Sequence, residues 1–321
     1  MLLWLLLLLG LTLSVALIVP LVISRLRPPS APLHAEVQSH EKRARQLLIG
    51  GTLAAIPLCL ALFWTNPLER GAYRAAPLFG VLILLAVCAG EVLAAPPKTT
   101  LRSAGIASRR AVDLVPRRLT WAVSITAVAL LISTIAGALT GSDGPLGKSD
   151  TYTAVCEAMS ATAGPYPGRL SAIPILVLAL IGGLAAAFAL RTIANRRGLG
   201  DNSADDLVAR RRSARAVVSG TGIAMAIPLM GVSITGGLAL LGSDAGYLVT
   251  DGEVIRCDSA LREWTGSMWI TLGLLAFPVL VWSVGSLVAA AQPAVSHRKR
   301  SEPEPLSGST PDVCRAAPAA Q

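Results

Sequence analysis

The stretch ARRRSAR followed directly by AVVSGTGIAMAIPLMGVSITGGLALL, residues 209–241, decides the fold. Four arginines crowd its first seven positions, and the next 26 residues carry no charge. At 1.5 Å of rise per residue, those 26 residues reach about 39 Å as a helix, more than a hydrocarbon core of roughly 30 Å requires. The run therefore predicts a transmembrane helix entered from its cationic side. Cationic loops are retained in the cytoplasm, so that side is expected to be the inner one.

The pattern repeats outward in both directions. The chain has 321 residues, 53% of them hydrophobic and only 15% charged, a balance too apolar for an ordinary soluble domain. Seven apolar stretches are long enough to span: 2–24, 47–65, 75–95, 119–140, 170–190, 216–241 and 268–291. The first has no positive residue before it, is longer than a secretory h-region, and is followed by Arg25 and Arg27 without a small-residue cleavage site, so it is expected to remain as a helix. The segments after spans one, three, five and seven hold 22 Lys and Arg, against 6 in the alternate segments. The expected fold is an all-α polytopic bundle of seven transmembrane helices, N-terminus outside and C-terminus inside, occupying residues 1–291. Extracytoplasmic loops would cover 141–169 and 242–267. The tail 292–321 mixes Pro, Ser, Glu and Ala with a basic start and reads as a disordered cytoplasmic segment. Basic loops at the inner face are expected to meet anionic lipid headgroups, and with no soluble domain to carry a binding surface, the basic balance does not imply nucleic acid.

Some sequence is repeated. Ala-Ile-Pro-Leu occurs at 55–58 and 226–229, each time six residues after a glycine, Gly51 or Gly222 counted to the proline, and Gly-Ser-Asp occurs at 141–143 and 242–244. These matches predict parallel repeats of a unit made of helix, basic loop and returning helix. Mid-span Pro57, Pro228 and Pro278 remove backbone hydrogen bonds that lipid cannot replace, so kinks are expected there, either lining a cavity or lying inert in the bundle. Small residues four apart, Gly137 with Gly141, Gly183 with Ala187 and Gly222 with Ala226, predict close helix contacts.

Cys156 and Cys257 fall one each in the two long outer loops. On the oxidising side of a membrane an accessible pair tends to be bridged, so a Cys156–Cys257 disulfide is expected. The same loops hold Tyr152, Tyr166 and Tyr247, with Trp264 at the entry to the last span. Interfacial Tyr and Trp ordinarily form a belt, but loops of this length are commonly functional. A small cap carrying Tyr152, Glu157, Tyr166, Tyr247, Asp251, Asp258 and Trp264 is the preferred site for an outer-face ligand or partner. Inside the spans the one carboxylate is Glu91, near the cytoplasmic end of span three, where headgroup water, Lys98 or Arg102 could meet it. Intramembrane acids are functional candidates by default, which makes Glu91 the residue for any proton or cation role.

Several chemistries lack their residues. His34, His40 and His297 all lie in cytoplasmic segments, so no span offers an imidazole to haem or a metal, and span seven has no lysine for a retinal Schiff base. There is no Walker loop, His-Glu-x-x-His or Gly-x-Ser-x-Gly. No catalytic constellation, metal site or cofactor is expected. The leading expectation is a non-catalytic subunit of a transport or signalling assembly in the plasma membrane, with a protein partner. The alternatives are a solute permease using Glu91 and the kinked helices, and an envelope- or lipid-modifying enzyme whose outer acids pair as acid and base.

Overall fold

The computed structural model describes residues 35–65, 70–93, 111–143, 149–156, 159–195, 203–243, 248–250, 253–255 and 260–291. They form helices α1 (Ala35–Thr65), α2 (Arg70–Val92), α3 (Arg117–Thr140), α4 (Arg169–Asn195), α5 (Ser203–Gly242) and α6 (Ala260–Ala291), with a 3₁₀ turn at Ala111–Leu114. All six helices are long and apolar enough to cross a membrane, and each covers one of the expected spans two to seven. The protein is a helical, multi-pass membrane protein. The expected first span, 2–24, and the tail 292–321 lie outside the described residues.

Helices outrun their apolar stretches, α1 and α5 furthest. The residues just before the second apolar run, 35–46, are rich in Ala, Glu, Lys, Arg and Gln, all strong helix formers, so α1 begins twelve residues early. Helix α5 starts at Ser203 with Asp205 and Asp206 in its first turn, a favourable placement of acids at a helix N-terminus. Its 40 residues reach about 60 Å, twice the hydrocarbon thickness.

Helix α5 is the centre of the molecule. It packs on α2, α3, α4 and most extensively α6, while α1 lies at the periphery against α2. The composition explains the choice: between Val217 and Leu240, α5 carries no charge and is small or apolar at most positions, with Ile223, Ala224, Ala226, Leu229 and Val232 all buried. The surrounding helices are apolar outward as well. Ile125 and Ile132 of α3, Leu184 and Phe188 of α4, and Leu274 and Leu275 of α6 are exposed, a girdle suited to lipid.

Without a hydrophobic force between helices in lipid, close packing and hydrogen bonds must hold the bundle, and glycine permits the closest approach. A Cβ at Gly80 of α2 would stand 2.6 Å from the Cα of Ala224, and one at Gly237 of α5 would stand 2.6 Å from the carbonyl oxygen of Gly266 on α6. Gly222 meets neighbouring helices as expected, whereas Gly137 and Gly141 are approached by Pro167 and Gly168 of the segment that precedes α4. Gly183 and Ala187 do not: that pair faces outward, and Gly182 with Ala186, one residue earlier, does the packing. The spacing was right and the phase was wrong, because spacing alone does not say which face meets the bundle.

The prolines also divide. Helices α1, α5 and α6 run continuously through Pro57, Pro228 and Pro278, but only Pro228 is buried. Pro57 and Pro278 face the exposed side, so they line no cavity. The expected repeat unit is likewise revised. Helices α2 and α3, joined by a basic segment, are not closely packed, whereas α1 with α2 and α5 with α6 form the two most intimate antiparallel pairs. In both pairs the glycine six residues before the proline meets the returning helix, Gly51 against Ala86 and Gly222 against Ser283.

The two connections expected to be outer loops carry strands. In the first, β1 (Ser142–Asp143), β2 (Ser149–Cys156) and β3 (Met159–Ala163) form an antiparallel sheet in that order, with Tyr152 opposite Ala163 and Cys156 opposite Met159. Ser142 Oγ bonds Thr153 Oγ1 at 2.7 Å and donates to the Thr151 carbonyl at 3.1 Å. In the second, β4 (Leu248–Thr250) pairs with β5 (Glu253–Ile255), Thr250 opposite Glu253. Asp251 and Gly252 lie between, the residue types preferred in two-residue hairpin connections. The all-α expectation thus holds for the membrane segments, with two small sheets added. One end of the bundle bears the strands and the other bears most of the arginines.

Candidate functional site

At the strand end, the chain leaving β3 turns inward as Gly164-Pro165-Tyr166-Pro167-Gly168 and enters the bundle. Tyr166 N–H donates to the Asp150 carbonyl at 2.8 Å, which ties this segment to β2. Pro167 inserts between α3 and α5, its ring 3.2 Å and 3.3 Å from where a Cβ at Gly137 or Gly236 would stand. Gly168 meets Gly141 at the end of α3. The Tyr166 ring is 1% exposed, stacks on Trp269 of α6 with centroids 6.1 Å apart, and lies 5.4 Å from the ring of Tyr152. Its hydroxyl shares a hydrogen bond with Thr140 Oγ1. Desolvation is the main reason its phenol is held above the ordinary tyrosine pKa of 10.0, partly offset by the Thr140 bond.

This cluster redistributes the expected outer-face residues. Tyr152 and Tyr166 are brought together, but Tyr166 is a core residue rather than a ligand-facing one. Trp264 is 78% exposed on the opposite side of α6, and Trp269, five residues on, takes the place beside the tyrosines. Glu157, Tyr247, Asp251 and Asp258 lie outside the described residues, as does Cys257, so the pairing of Cys156 with Cys257 does too. Among the described residues, Cys59 and Cys88 are free thiols. Arg262, counted in the sequence as a loop cation, is instead in the first turn of α6 and buried. It lies one turn before Gly266, which packs on Leu241, so it stands alongside the end of α5.

The basic end is built differently. Arg210 of α5 is buried, its Nε 2.8 Å from Asp206 Oδ2 one turn earlier. Its Nη1 donates to the carbonyls of Ile193 at 3.2 Å and Ala194 at 2.9 Å, the last turn of α4. A guanidinium there satisfies carbonyls that a helix end leaves without partners and complements its negative dipole end. Arg45 of α1 does the same for α6, donating to the Ala291 carbonyl at 3.2 Å. The signal for the first of these was present in the sequence, an Asp four residues ahead of an Arg on one helix face. Lys42, Arg43, Arg117, Arg118, Arg191, Arg211 and Arg215 remain exposed around this end.

Glu91 lies in the last turn of α2, half-buried, next to Gly90, whose Cβ position would touch Ala44 of α1. It is therefore at the end of its helix, where that helix packs against the part of α1 that carries Ala44. Lys98 and Arg102 are outside the described residues. No group of three His, Cys, Asp or Glu side chains that could hold a metal ion occurs among the described residues. No protein-family pattern, curated protein or solved structure matches the chain.

Proposed function

We propose that this protein is a non-catalytic subunit of a transport or signalling assembly in the plasma membrane, with its N-terminus outside and its arginine-rich end in the cytoplasm. The observation that carries this reading is the construction of α5. Its close contacts are made through glycines and a largely apolar, uncharged surface, which favours a rigid scaffold, while exposed arginines of α3, α4 and α5 ring one end, where a partner or anionic headgroups can engage them. The excess of 22 cations over 6 supports the orientation.

Purification of the tagged full chain in mild detergent tests the reading. A stoichiometric partner, lost when Arg117 and Arg118 are both changed to Glu, is the expected result. Recovery of the chain alone and monodisperse contradicts it. The permease alternative draws less support, because Glu91 sits at a helix end. Unchanged solute flux in Glu91→Gln vesicles would remove that residue from any transport role. A Cys156–Cys257 bridge remains part of the proposed outer cap, and separate alkylated peptides without reductant would exclude it.

A further inference from the structure

Hydroxyls in the seam between α3, α5 and α6 depart from a rule the other helical hydroxyls obey. Thr52, Thr126, Thr221 and Thr235 each donate to the carbonyl four residues earlier, at 2.6–2.9 Å. That is how a hydroxyl in an apolar helix ordinarily satisfies itself. Thr134, Ser219, Ser233 and Ser283 are completely buried and have no hydrogen-bond partner among the described residues.

The four fall into two pairs. Thr134 is one turn before Gly137 and Ser233 one turn before Gly236, and both glycines lie against the same Pro167 ring, so the two hydroxyl residues share a level of the seam. Ser233 also packs on Gly273 of α6. Lower down, Ser283 of α6 lies directly on Gly222 of α5, with Val123 of α3 on the same glycine and Ser219 one turn away along α5. The fourteen residues from Ser219 to Ser233 put the levels about 21 Å apart along α5.

A buried hydroxyl with nothing to bond forfeits the hydration it has in water, and lipid cannot restore it. Polar interiors with two to four polar groups hold ordered water, and each level offers two hydroxyls. We propose that the α3/α5/α6 seam binds internal water at these two levels, one at Thr134 and Ser233 and one at Ser219 and Ser283. The seam then holds two separate hydrated sites inside an otherwise closed bundle. The inference does not depend on the assembly reading.

Radiolytic footprinting of the full chain in lipid nanodiscs tests it, because bound water generates hydroxyl radicals where bulk solvent does not reach. Val123, at the lower level, is expected to be oxidised well above Ile83, a buried residue of α2, and Ile234, half-buried beside Gly273 at the upper level, well above Ile227, a half-buried residue of α5. In the Ser219→Ala/Ser283→Ala double variant, oxidation at Val123 should fall to the Ile83 background while Ile234 is unchanged. Val123 as unmodified as Ile83, and Ile234 no more modified than Ile227, in the wild-type chain would overturn the proposal. So would a higher melting temperature for the double variant, since removing hydroxyls from a dry seam relieves an unmet cost.

Discussion

Helices α1 and α5 carry the same Ala-Ile-Pro-Leu and the same glycine six residues before its proline, yet one is the periphery of the molecule and the other its axis. In both, the glycine and the alanine of the motif are turned inward: Gly51 meets Ala86 and Gly222 meets Ser283, and Ala55 and Ala226 are buried. The remaining motif residues part company. Pro57 is exposed and Leu58 is 47% exposed, whereas Pro228 is buried and Leu229 is 2% exposed. The motif thus fixes how a helix meets the one that follows it. Whether its far side is also covered depends on the other helices, which the motif does not contain.

The comparison extends to the basic end, where each of the two helices sends an arginine to the carbonyl end of another. The largest single loss is expected here. Arg210→Ala would take from the buried Asp206 the guanidinium paired with it and should cost about 3–5 kcal/mol, whereas Arg45→Ala removes one half-buried donor and should cost about 1.5–3 kcal/mol. Unfolding in mixed micelles measures both, and equal losses would break the distinction between the two helices.

Next in size is the motif leucine. Leu229→Ala opens a cavity in the core and is expected to cost about 2–5 kcal/mol. Leu58→Ala, facing lipid, should fall within about 0.5 kcal/mol of the parent, as surface changes do. A large loss from Leu58→Ala would mean that the far side of α1 is covered.

The smallest effects concern the strand end. Tyr166→Phe keeps the ring stack on Trp269 but removes the bond to Thr140, a loss of about 1 kcal/mol. Because the folded chain holds this phenol protonated above its ordinary pKa, its contribution is full below about pH 10 and declines as the pH rises from there, when the unfolded chain ionises first. Spectroscopic titration should find Tyr166 ionising above the ordinary tyrosine pKa, and the phenylalanine variant should lose less stability than the parent in that alkaline range.

How much of this was written in the residues follows from what each signal measures. Spans two to seven were legible because length and apolarity are properties of a segment by itself. Phase was not: Gly183 and Ala187 have the same spacing as Gly182 and Ala186, and Trp264 is as aromatic as Trp269, but a rotation of about 100° or 140° around the helix decides which one meets the bundle. Arg262 read as a loop cation because only hydropathy marked where α6 began. The Asp206–Arg210 pair and the Asp251-Gly252 connection did carry local signals, the i,i+4 charge pair and the hairpin dipeptide, which the counting of loop charges and outer acids passed over.

A photoactivated apolar carbene reagent dissolved in the bilayer labels side chains that face lipid, and it bears directly on the claim that α5 is enclosed by its neighbours. The account predicts strong labelling of α1 around Leu53 and Leu58, and of the outward faces of α3, α4 and α6, with residues 217–233 of α5 essentially unlabelled. Labelling of that segment as strong as that of α1 would contradict it.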